Sequence, residues 1–185
     1  MKNKNFYLIF FILIFFISKT VYPFEFDSLF GLKLHVDSEK YFERSFIQSN
    51  KFGNKETHYG FYDLEVTEKI IEKNPFLSNY WVVLDSNNFI KQISAEEEII
   101  DLNKCTKFKE QLIKIFISKY TFNFNKREYT HKDFYTHSDF AMAGENNFLS
   151  VKCVENFSPK KVNLIISFET KLYRNRKKEF YESGF

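Results

Sequence analysis

This 185-residue sequence predicts an α+β fold, a mostly antiparallel sheet packed on two helices. Three observations lead there. Two pairs of β-rich runs, residues 80–84 with 89–93 and 148–154 with 162–172, are joined by turn-forming residues, and hairpins build antiparallel sheets. Residues 103–120 place Cys105, Phe108, Leu112, Ile113, Ile115, Phe116, Ile117 and Tyr120 at helical spacing. Only five Gly and three Pro occur, with no long Gly/Pro/Ser-rich linker, so residues 21–185 read as a single domain.

The first twenty residues read as a targeting segment. Lys2 and Lys4 form a positive start, and residues 6–17 carry no polar side chain except the Tyr7 hydroxyl. A bilayer span takes about 20 apolar residues, so this run fits the core of a signal peptide. No A-x-A precedes a cleavage point, and the least poor site follows Ser18-Lys19-Thr20. An uncleaved membrane anchor is therefore the alternative. The leader contains Lys2, Lys4 and Lys19 of the 27 basic residues and no acid, which leaves 24 basic against 24 acidic after its removal. A mature domain of zero net charge offers no bulk attraction to nucleic acid.

Beyond the leader, residues 29–36 alternate, with Phe30, Leu32, Leu34 and Val36 on one face, as in a half-buried strand. Asp37 or Ser38 then caps a helix to residue 49 carrying Phe42 and Phe46 one turn apart. A turn at residues 50–55, an aromatic extended run at 57–67 and a short amphipathic piece at 68–73 follow. The hairpin of residues 80–93 has the clearest turn, Asp85-Ser86-Asn87-Asn88. Acidic residues 95–102 lead into the central helix. Its apolar side chains sweep about 200° of surface at about 100° per residue, so the sequence predicts cover on most sides. Residues 121–147 are polar and aromatic without clear periodicity, and read as a long functional or partly extended segment. The second hairpin turns at Ser158-Pro159-Lys160. The order reads as a β-α-β-β unit occurring twice.

Cys105 and Cys153 are the only cysteines. In an oxidising compartment an even count points to a disulfide, here closing a loop of about 49 residues and worth on the order of 4 kcal/mol in loop-closure entropy. Two buried free thiols are the alternative. Without a CxxC, a thioredoxin-like role is not indicated.

The most patterned candidate site is Thr130-His131-Lys132-Asp133-Phe134 followed by Thr136-His137-Ser138-Asp139-Phe140. On a strand, His131, Asp133, His137 and Asp139 would share one face and offer nitrogen and carboxylate ligands to a divalent metal, or an acid–base pair to a hydrolase-like enzyme. Distance opposes this, because His131 and His137 would stand about 20 Å apart on an extended chain. Locally satisfied turn residues are the alternative. Lys171, Arg174, Arg176, Lys177 and Lys178 form a basic cluster suited to anionic headgroups or an acidic partner, or to a solvated strand end. The aromatics Tyr59, Phe61, Tyr62, Tyr80 and Trp81 would make a binding platform wherever they face outward. A binding surface of Tyr59, Phe61, Trp81, Arg174, Arg176 and Lys177 follows from these two features. There is no GxGxxG, P-loop, GxSxG, HExxH or EF-hand loop.

The sequence thus points to a small exported binding or accessory protein, periplasmic or secreted, with no recognisable catalytic set and no implied cofactor other than a divalent metal. Its partner would be an envelope protein or a small ligand, with membrane-surface contact through the basic tail. A metal-binding or hydrolytic protein and a membrane-anchored envelope protein are the competing readings.

Overall fold

The computed structural model describes residues 26–52, 60–70 and 72–182, with side chains up to residue 179. The leader (residues 1–20) and Tyr59 lie outside the described residues. A two-stranded ribbon pairs β1 (Ser28–Leu29) with β2 (Leu32–Lys33). A 3-10 turn at Ser38–Lys40 and helix α1 (Arg44–Asn50) follow. Four strands then run as a meander: β3 (Lys51–Phe52), β4 (Tyr62–Glu65), β5 (Asn79–Leu84) and β6 (Ile90–Ile99). Helix α2 (Leu102–Lys119) leads to a second meander of β7 (Asn125–Thr130), β8 (Phe134–Ala143), β9 (Asn147–Phe157) and β10 (Lys160–Thr170). Helix α3 (Lys171–Glu182) closes the described chain.

All eight meander strands form one antiparallel sheet in the order β3-β4-β5-β6-β10-β9-β8-β7. The last strand of each meander meets the other at the centre, with Ser94 opposite Ser167. Each half is therefore a helix followed by four strands, in place of the β-α-β-β unit expected. The difference arises in two segments. Residues 121–147 are partly extended, as expected, but contribute two full strands, β7 and β8, and the acidic residues 95–99 belong to β6. All six β7 residues are exposed, so this strand has no apolar alternation to betray it. The strand expected at 29–36 is broken into the short ribbon, because Phe30, Gly31 and His35 take positive φ of 55°, 78° and 61°.

Turn chemistry explains the best-read hairpin. Asp85 Oδ1 accepts from the backbone N–H groups of Asn87 (2.9 Å) and Phe89 (3.0 Å), and Asn88 adopts φ 64°. Helix α2 starts where Asp101 Oδ1 accepts from the Lys104 N–H at 2.8 Å.

Alternation divides the sheet into two faces. The inner face presents Leu64, Val82, Ile93, Ala95, Leu164, Ile166, Phe168, Leu149 and Val151 to α2 and the N-terminal segment, and all are buried. Phe26 plugs one end, edge-on to Phe168 (4.9 Å), Tyr120 (5.1 Å), Phe122 (5.4 Å) and Phe116 (5.9 Å). Helix α2 buries a single stripe, with Cys105 and Lys109 fully covered and Leu112, Ile113, Phe116 and Tyr120 packed at its edges. Phe108, Ile115 and Ile117 remain 42%, 49% and 49% exposed, so the expectation of cover on most sides does not hold. The sheet touches one side of the helix only, and a single layer reaches no further.

Two contacts fasten α2. Cys105 and Cys153 form a disulfide with their Cα atoms 6.0 Å apart, joining the first turn of the helix to β9. One turn on, the Lys109 ammonium donates to Asp139 Oδ2 of β8, with both residues at most 2% exposed.

The second helix expected by residue 49 is shorter than predicted. The third was not expected at all. Strand β10 ends at Thr170, whose Oγ1 accepts from the Tyr173 N–H at 3.2 Å and caps α3. The basic run after it is helical and folds back over the sheet, which corrects the reading of a charged strand end.

Candidate functional site

The outer face of the sheet is built differently. Strand pairing sets Trp81, Ser94, Ser167, Ser150 and Phe140 in one cross-strand row. The three serines are buried, and Ser150 and Ser167 share a hydrogen bond of 2.7 Å between their hydroxyls. The next row reads Glu96, Ile165, Lys152 and Ser138. On the other side lie Val83, Gln92, Glu169, Phe148 and Met142. A sheet face this polar cannot serve as a second hydrophobic core.

Helix α3 covers part of it. Tyr173 packs edge-on to Phe61 at 4.9 Å and joins a small cluster with Val83. Arg174 lies 4.5 Å over the Phe148 ring and 5.0 Å over that of Phe140. It also donates to Oε1 of buried Glu169 at 3.2 Å. Lys177 donates to Oε2 of the same carboxylate, and to Gln92 Oε1 at 3.4 Å. Glu169 thus has both oxygens engaged by cations of α3. Arg176 points away and pairs with Glu179 at 3.3 Å on the exposed surface.

Lys152 has no such partner. Among the described residues its ammonium makes no hydrogen bond and no ion pair. The residue is half-buried, and enough protein surrounds the ammonium for desolvation to push it below the usual lysine range. Lys177 and Arg174 push in the same direction, and Glu169 and Glu96 oppose them. Glu96, across Ile165, is held above the ordinary carboxylate range by burial, against the pull of Lys152.

The residues singled out in the sequence divide cleanly. Phe61, Trp81, Arg174 and Lys177 come together on the outer face, although only Trp81 and the two cations border open surface. The half-buried Trp81 also meets Phe52 edge-on at 5.8 Å. His131, Asp133, His137 and Asp139 are not brought together. His131 and Asp133 sit in the turn between β7 and β8, where the Asp133 N–H donates to His131 Nδ1 at 3.3 Å. His137 lies opposite Cys153 under α2, 3.9 Å from Glu128, and Asp139 is committed to Lys109. The expectation that all four share a strand face fails because β7 ends at Thr130 and β8 begins at Phe134. Among the described residues no three His, Cys, Asp or Glu side chains are placed to hold a metal ion.

The serine row and Lys152 went unnoticed in the sequence. Their signal is the run of polar residues at alternate positions of β6, β9 and β10, which becomes a surface only once the strands are in register. Comparison with known protein families, curated proteins and solved structures finds no match to this chain.

Proposed function

We propose that this chain is a small exported accessory protein of the cell envelope or secreted space, which works by binding rather than catalysis. Its binding surface is the outer sheet face bordered by α3. The observation that carries this reading is the gathering of Trp81, Arg174, Lys177 and the serine row on one face. A face meant only to be solvated has no need of buried hydroxyls and a half-buried lysine without an ion pair. Binding sites combine aromatic side chains with a few placed polar groups, and Trp81 and the polar rows supply both kinds. The disulfide supports export, since such bonds persist in oxidising compartments. Among the described residues no helix is long and apolar enough to cross a membrane.

Trp81 is the only tryptophan, which makes its fluorescence a reporter of this face. Fractionated envelope extract, small molecules and proteins separately, should shift the emission of the wild type in a saturable way. A Ser94→Leu/Ser150→Leu double variant that still folds should lose the response. Extracts that leave the emission unchanged and perturb only inner-face or α2 amide signals would reject this surface. Recovery of the natural protein with both thiols free, from a reducing compartment, would reject export.

A further inference from the structure

The outer face carries a lysine, Lys152, that forms no ion pair among the described residues. Four charged groups act on Lys152 there: Arg174 and Lys177 against Glu96 and Glu169. Arg174 and Lys177 both close on Glu169. Glu96 stands two strands from Lys152, about 9–10 Å at the backbone, and forms no ion pair with it. The cluster keeps one positive charge, and that charge is on Lys152.

The other buried lysine behaves differently, because Lys109 has Asp139 for a counterion. A half-buried ammonium with no partner in the protein is held by water where it reaches the surface, or by an anion from outside. Its surroundings suit the second. Ser150 lies two residues earlier on the same face of β9, about 7 Å along the strand. Ile165 and Val154, both half-buried, are its apolar neighbours across and along the strand. A single surplus charge matches a monoanion. A phosphate dianion would leave a net negative charge beside Glu96 and Glu169, so the balance favours a carboxylate.

Resting on the outer-face reading above, we propose that Lys152 anchors the carboxylate of a small amphipathic monoacid whose apolar chain lies along Ile165 and Val154. The carboxylate completes the ion pair that Lys152 lacks, and the chain covers the two apolar side chains.

The test is an NMR titration of the full chain with three probes: sodium octanoate, octanol and inorganic phosphate. Octanoate should shift the amide signals of Lys152, Val154 and Ile165 saturably and raise the pKa of the Lys152 ammonium. Octanol and phosphate should bind about tenfold more weakly or worse, as should octanoate to Lys152→Met. Lys114→Met, on the exposed side of α2, should bind octanoate like the wild type. Equal octanoate binding by wild type and Lys152→Met would overturn the assignment, as would octanoate shifts confined to the inner face. Tighter binding of phosphate would overturn the carboxylate. Should octanoate fail while envelope fractions still shift Trp81 emission, the ligand class falls and the binding face stands. Should both fail, the face falls too.

Discussion

The two faces of the sheet treat a buried lysine in opposite ways. On the inner face Lys109 is covered and paired with Asp139, one helical turn from the Cys105–Cys153 bond. On the outer face Lys152 is half-buried, unpaired and depressed in pKa. The inner face has completed its contacts within the chain. The outer face has polar floor, an aromatic border and one charge left over. If the outer face binds as proposed, variants on the two faces should separate stability from binding.

The largest expected effect is on the inner face. Replacing both cysteines by alanine should cost about 4 kcal/mol, seen as a lowered midpoint in denaturant, because the long loop in the unfolded chain is no longer closed. Asp139→Asn leaves Lys109 buried without its counterion and should cost about 3 kcal/mol or more. A Lys109→Met/Asp139→Leu double variant should regain most of that loss, and its failure to do so would mean that the pair supplies more than mutual neutralisation. Phe26→Ala opens a cavity against four rings and should cost about 3 kcal/mol by thermal unfolding. None of these four variants should weaken a ligand on the outer face while the protein stays folded.

Outer-face changes should be mild for stability. Lys152→Met should change it by less than about 1 kcal/mol at neutral pH, in either direction, since an unpaired charge is exchanged for apolar volume. The pH dependence sharpens this. The Lys152 pKa in the folded protein lies below the ordinary lysine value of 10.5, so between the two the unfolded chain binds the extra proton. Wild-type stability relative to Lys152→Met should therefore rise as pH climbs through the folded pKa toward 10.5, and stay level below it. A wild type that loses ground over that window would contradict a desolvated ammonium.

How much of this was legible beforehand depended on whether the signal was local. The hairpin around Asp85–Asn88 was readable because turn residues act within four positions. The α2 helix was readable from its spacing, and the disulfide from two cysteines and a compartment argument. Strand β7 was not, because an exposed edge strand needs no apolar alternation. Nor was α3, whose capping Thr170 follows directly on the alternation of β10 and looks like its continuation. The THxDF repeat misled for a related reason: a turn falls inside it, so residues with the right parity lie on different elements.

The sequence by itself determined the α+β class, the hairpin, the central helix and the cysteine pair, because these rest on periodicity, turn chemistry and counting. Tertiary structure alone decided which side chains meet. Two meanders converge on β6 and β10, and only that register turns scattered serines, Glu169 and Lys152 into one surface under a helix that reads, in sequence, as a charged tail. Long-range pairing of strands more than sixty residues apart leaves no mark on the neighbours of either strand, and for that reason the outer face is invisible until the chain is folded.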